Sequence, residues 1–403
     1  MKVNSKNVKT VKTKNIKFRD IVEKRDNIQE RIGGGRIIEV KNPRPNSKFV
    51  FRVEGGPMLT KYAVIDMLEK IANLNVFLDE YPVQSKYDLN DNLKHDVVYG
   101  YMMSIMSDTQ YISTFYRKNM QDYCDLSGMY HFRNVMVHNH HLLDNDSIYT
   151  ALTNVVLKSD ANLLGILVNP RMVGGLEMKP DEAIDILSKA REYLPGCDEE
   201  FKKYEKNKSS LIIRKGGNYL YNVCSIISDN VKNSDDYCDK SVSRCVKEDI
   251  YESLKSIAML NEYKSEIRRN RDFERKPYLQ MACAYHIIHL CGAINTDIAV
   301  LKENSNDKIN WVDVVNLRSH LAHNYGDKVA LNISTFNFMK DYLPVIEKEF
   351  VNSLQRDFGV DLSEIVERNE DYIENLPYLK ELSQTKDISS DISKSDDFEH
   401  DDR

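Results

Sequence analysis

At 403 residues and 41% apolar content, the chain is long enough to bury more than one core, and about 150 residues per domain predicts two or three domains. A charged fraction of 29%, a net charge of -6, one Trp and 16 Gly exclude a wholly disordered chain and favour helix over sheet. Seven cysteines at irregular spacing, no apolar export segment at the N-terminus and no apolar run near the roughly 18 residues of a membrane span predict a soluble, cytoplasmic protein with reduced thiols.

The net charge hides an asymmetry. Up to Lys61, Lys and Arg exceed Asp and Glu by roughly ten, so the remainder is acidic. Such a basic lobe reads either as a contact for a polyanion or as an ordinary solvated face. Within it, a short helix is predicted at Phe18 to Gln29. Beyond Gly33, Gly34 and Gly35, two β-rich runs, Arg36 to Val40 and Lys48 to Val53, flank the loop KNPRPNSK and predict a β-hairpin. Arg36, Lys41, Arg44, Lys48 and Arg52 would decorate it and suit a phosphate backbone. The glycines form neither GxxxxGK[ST] nor GxGxxG, so they read as turns.

From Leu59 the period becomes helical. Tyr62, Ile65, Leu68, Ile71, Leu74 and Phe77 recur at three-residue steps up to Pro82. A second helix is predicted at Lys94 to Met120, a third over MYHFRNVMVHNHHLL, and a fourth begins at Tyr149 to Leu157, which together make a bundle. A bridge follows, with a loop at NPRMVGG, a helix opened by Pro180 and a stop at LPGC. Tyr219 to Ile227, Ile250 to Tyr263, Tyr278 to Leu301, Val312 to His323 and Ile333 to Phe350 predict a five-helix second bundle. After about Leu382 the tail is Ser- and Asp-rich and reads as disordered. The predicted organisation is all-α with a small hairpin extension: a basic N-terminal extension (1–57), a first bundle (58–165), a helical linker (166–204), a second bundle (205–355), and a helical end with an acidic tail (356–403).

Two segments carry a matching pattern. WVDVVNLRSHLAHNYG in the second half contains Arg318, Ser319, His323 and Tyr325. MYHFRNVMVHNHHLL in the first half contains Arg133, Asn134 and His138, with Phe132 matching Leu317 and Met129 matching Val314. On a helix, residues four apart share a side, so Asn134 can reach His138 and hold its ring, while the longer Arg133 extends around to the same place. An imidazole of near-neutral pKa can deprotonate an RNA 2'-hydroxyl, and a guanidinium can hold the charge that grows on phosphorus, so no metal is required for this chemistry.

This Arg-x4-His pattern resembles the motif of the HEPN superfamily, and the continuation to Tyr325 resembles its HepT-like toxins over much of residues 205–355. The resemblance implies two HEPN-type helical bundles in tandem and a metal-independent endoribonuclease with a toxin or antiphage role. In type VI CRISPR effectors, too, two HEPN domains of one chain form one RNA-cutting site. By the same resemblance the composite site comprises Arg133, Asn134, His138, Arg318, Ser319 and His323, with no cofactor. Tyr325 is either a target for AMP addition by a separate MNT-type nucleotidyltransferase antitoxin or a packing residue. Ser319 stands where the family has Asn, and His140 where it has Tyr; these departures keep open a catalytically silent scaffold that binds RNA or the nucleotidyltransferase. A homo-oligomer is also left open, and the sequence implies no membrane partner.

HNHH (His138 to His141) lacks a ββα-metal context, and Cys283, His286, His289 and Cys291 lie on one helix at scattered angles, which argues against a zinc site.

Overall fold

The computed structural model describes residues 37–40, 50–53, 57–112, 117, 124–138, 143–168, 178–207, 242–304, 314, 317–318, 321 and 328–385. At several helix ends, His138 among them, the description covers the backbone. Helix dominates. Two four-residue strands, β1 (Ile37–Val40) and β2 (Val50–Val53), pair antiparallel with Ile37 opposite Val53.

Helix α1 spans Pro57–Glu80. The predicted stripe from Tyr62 to Phe77 is buried throughout, but so are Val64, Met67, Glu69 and Lys70, so the helix is covered on more than one side. It packs on α2 (Asn92–Asp108) and α5 (Asp160–Val168). Helix α2 starts where Asp91 accepts the Lys94 amide at 3.0 Å. It ends at Asp108, short of the predicted Met120. The Thr109 hydroxyl there donates back to the Met106 carbonyl, and a 3-10 turn, Thr109–Tyr111, follows. Neither Gly nor Pro marks this stop.

Helix α3 (Leu126–His138) lies against α2. Helix α4 (Asn145–Ala151), capped by Asp144, runs on through a π turn, Leu152–Val156, towards α5. Among the described residues the stretch Asn145–Val168 is long and apolar enough to cross a membrane, which the sequence reading did not find; 67% of its most apolar window is buried within the protein, as in a core segment.

Helices α6 (Pro180–Leu187) and α7 (Pro195–Asn207) lie in the predicted linker. Pro180 opens α6 as expected. LPGC, expected to stop a helix, starts one: Pro195 begins α7, and the Gly196 and Cys197 amides donate to Asp160 Oδ2 at 2.8 and 3.1 Å. That carboxylate satisfies amides which the first helical turn leaves without partners. A Cβ on Gly196 would come within 2.4 Å of Asp160 Oδ1, so the approach depends on glycine. Ala183, Ile186, Leu187, Leu194, Cys197 and Phe201 join the core, so these helices serve as packing elements.

The second half contains α8 (Val242–Ser265), α9 (Pro277–Asn304), α10 (Lys328–Asn337), α11 (Leu343–Arg356), α12 (Leu362–Arg368) and α13 (377–385). Pro344 deprives the Lys340 carbonyl of its helical donor, and the chain widens into a π turn, Phe338–Tyr342, immediately before it. Of the predicted Val312 to His323 helix, residues 314, 317, 318 and 321 are described, and all are helical.

The central packing is between α2 and α9. A Cβ on Gly100 would sit 2.4 Å from the Met281 carbonyl oxygen, so the two backbones meet where α2 has no side chain. One continuous buried apolar cluster contains residues of both halves.

Candidate functional site

Helix α3 buries Met129, Phe132 and Met136, and this apolar side sets the rotation of the helix. Arg133 is thereby drawn to 7% exposure. Its Nε donates to Ser107 Oγ on α2 at 3.2 Å, and its Nη1 donates to Asn134 Oδ1 at 3.1 Å. The oxygen of Asn134 accepts from Arg133; the expected contact of Asn134 with the His138 ring lies outside the described residues. Adjacent residues on a helix do not ordinarily face each other, but the arginine stem is long enough to curl around. The last turn of α3 is fastened where the Tyr99 hydroxyl donates to the Met136 carbonyl at 3.0 Å. That carbonyl lies among the final four of the helix, which have no helical donor. His138 closes α3, and its side chain lies outside the described residues.

In the second motif Val314 and Leu321 are buried and Leu317 packs on the core. Arg318 is half-buried against α9, where a Cβ on Gly292 would lie 3.6 Å from its Nε and 4.0 Å from its Cζ. Burial pulls the guanidinium below its ordinary value, with the Cys291 thiol opposing. Burial raises Cys291 in turn, and Arg318 opposes that rise. Ser319, His323 and Tyr325 fall outside the described residues, as do Arg36, Lys41, Arg44, Lys48 and His140. Arg52 lies on β2, opposite Ile38.

Arg133 is therefore held from α2, and Arg318 lies against α9. The two helices communicate directly: the Tyr99 ring of α2 is 4.7 Å from Tyr285 and 5.8 Å from His289, one turn before Gly292. Arg133 and Arg318 thus touch two helices that pack on each other.

Sequence reasoning missed two buried polar clusters. Asp96 on α2 accepts from Tyr263 Oη of α8 and His286 Nε2 of α9, each at 2.6 Å, and lies 3.0 Å from His95 Nδ1. Burial would raise the Asp96 carboxyl, but the charge of His286 and the bonds from His286 and His95 outweigh it and hold the group well below the usual carboxylate range. An ionised carboxylate only accepts, so His286 Nε2 carries the proton in this contact. The only available signal was an Asp at the head of the apolar run VVYGYMM. His286, which shares α9 with Cys283, His289 and Cys291, is committed to Asp96. Among the described residues no three His, Cys, Asp or Glu side chains are placed to hold a metal ion.

The second cluster is the buried ion pair Lys70 Nζ to Asp108 at 2.5 Å, with Lys70 also donating to the Ser104 carbonyl at 3.3 Å. Asp108 adjoins Ser107, so the pair fixes the end of α2 that holds Arg133. Comparison of this chain with protein-family models, curated proteins and solved structures gave no match.

Proposed function

We propose that the protein is a metal-independent endoribonuclease of the HEPN type, built from two tandem bundles behind a basic hairpin extension. Arg133 and Arg318 bind the phosphate; His138 and His323 transfer protons, one taking the 2'-hydroxyl proton and the other protonating the leaving 5'-oxygen. Ser319 takes the place of Asn134 in the second motif. Arg36, Lys41, Arg44, Lys48 and Arg52 contact the RNA backbone. The observation that supports this reading is that Arg133 is held by α2 and Arg318 lies against α9, the helix packed on α2. The toxin or antiphage role, and control by a nucleotidyltransferase acting on Tyr325, follow from the resemblance alone.

The second reading is a catalytically silent scaffold that binds RNA or a nucleotidyltransferase. It is favoured by the burial of Arg133 and by the bonds its guanidinium makes within the bundle. The experiment is incubation with total RNA in EDTA, alongside His138→Ala and His323→Ala. An endoribonuclease cuts under chelation, and each variant abolishes cutting. Binding without cutting by the unaltered protein supports the scaffold and sinks the nuclease.

A further inference from the structure

The first turn of helix α13 is capped from the second half by one carboxyl group. Glu347 on α11 is 1% exposed and accepts the main-chain amides of Tyr378 at 2.9 Å and Leu379 at 3.3 Å. These amides belong to the first turn of α13, which offers them no helical partner, so the carboxyl caps the helix from outside. Leu376 and Leu379 are fully buried beside it. The Tyr378 hydroxyl donates to Asn352 Oδ1 at 3.0 Å, and Asn261 Nδ2 donates to the Asn375 carbonyl at 2.9 Å.

Among the described residues no cation pairs with this buried acid. On α11, Lys348 lies over the Tyr378 ring, and Arg356 pairs with Glu349 and Asp357. On α8, Lys255 lies over Tyr372, Lys247 pairs with Glu364 of α12, and Glu262 meets Asn375. Arg368 of α12 pairs with Glu248, and Lys380 of α13 pairs with Glu374. Among the described residues none of these groups forms an ion pair with Glu347. Burial penalises the charged form; the two amide bonds oppose it only in part, and the carboxyl is pushed up to about 7.

We propose that Glu347 is a proton-operated latch: uptake of a proton by this carboxyl favours docking of α13, and loss of the proton favours release of residues 376–385. The latch does not depend on the ribonuclease reading. Once released, the side chain regains water and the ordinary value of 4.5. The docked value is the higher one, so docking is strongest below the ordinary value and weakens as pH rises through about 7.

The test is hydrogen exchange of the full chain at pH 6 and pH 8, corrected for intrinsic rates, with amides of α9 as an internal reference. One linked proton lowers protection of residues 376–385 by about tenfold across that interval. Glu347→Gln keeps an oxygen to accept both amides and carries no charge, so it stays protected at both values. Glu347→Asp, with a shorter reach, is poorly protected at both. Protection in the unaltered protein that does not change with pH overturns the latch. The same fall in Glu347→Gln also overturns it. The unaltered protein decides the question alone if either variant fails to fold.

Discussion

The imidazole of His286 on α9 meets the carboxylate of Asp96 on α2 at 2.6 Å, between the two helices that Arg133 and Arg318 touch. Asp96→Asn removes the charge while keeping the shape. The amide oxygen still accepts from Tyr263 and His286, but both bonds lose their charged acceptor and the amide nitrogen is left facing His95, so a loss of about 3–5 kcal/mol in urea unfolding at pH 7 is expected. The pH dependence has a definite sign. The folded value of Asp96 lies below its unfolded one, so the stabilisation is present above about 3.9 and is lost as pH falls towards the folded value. Asp96→Asn removes this part of the acid sensitivity, which acid titration of the two proteins followed by circular dichroism measures. Tyr263→Phe takes away one donor of several and costs less, about 1–3 kcal/mol.

Two glycines of the same helix pair respond in opposite ways to the same change. At Gly100 a new Cβ would lie 2.4 Å from the Met281 carbonyl oxygen, which is backbone and cannot swing aside. Gly100→Ala is therefore expected to lose about 1–3 kcal/mol or more, despite the better helix propensity of alanine. At Gly292 the nearest atom is Arg318 Nε at 3.6 Å, an ordinary contact. Gly292→Ala is expected to be neutral or to gain up to about 1 kcal/mol. Thermal and urea denaturation of both variants check the contrast.

Ser107→Ala removes the hydroxyl that accepts from Arg133 Nε. A buried charged donor without its acceptor costs about 1–3 kcal/mol. On the ribonuclease reading cleavage falls further than stability, because the guanidinium is no longer aimed. On the scaffold reading only stability changes. Cleavage rate and melting temperature measured on one preparation separate the two.

The Lys70 and Asp108 pair is open to a double-mutant cycle. Lys70→Met or Asp108→Leu alone takes the opposite charge away from a buried ion and is expected to cost about 3–5 kcal/mol; the double variant recovers most of the loss. Strict additivity of the two single losses in urea unfolding contradicts the coupling.

Regular helices were legible wherever local pattern decides them. The stripe on α1 and the proline start of α6 follow from spacing and backbone geometry. LPGC was misread because Pro and Gly punctuate both ends of helices, and the deciding partner, Asp160, lies 36 positions away. The stop of α2 rests on a Thr hydroxyl in a sequence with no breaker. At the candidate site, the placement of Arg133 and Arg318 on helices with apolar approach residues followed from periodicity. That Arg133 turns to Asn134 and Ser107 did not, because the reach of a long side chain is settled by whichever helix packs beside it. The Asp96 cluster draws on three helices, and no window of sequence contains it.

The crossing of α2 and α9 also bears on how the protein is made. Asp96 leaves the ribosome 190 residues ahead of His286, so for nearly half of synthesis the acid and the backbone seat at Gly100 lack their cover from α9. Long-range closure of this kind is slow, and it leaves the growing polypeptide prone to aggregate until α9 has emerged.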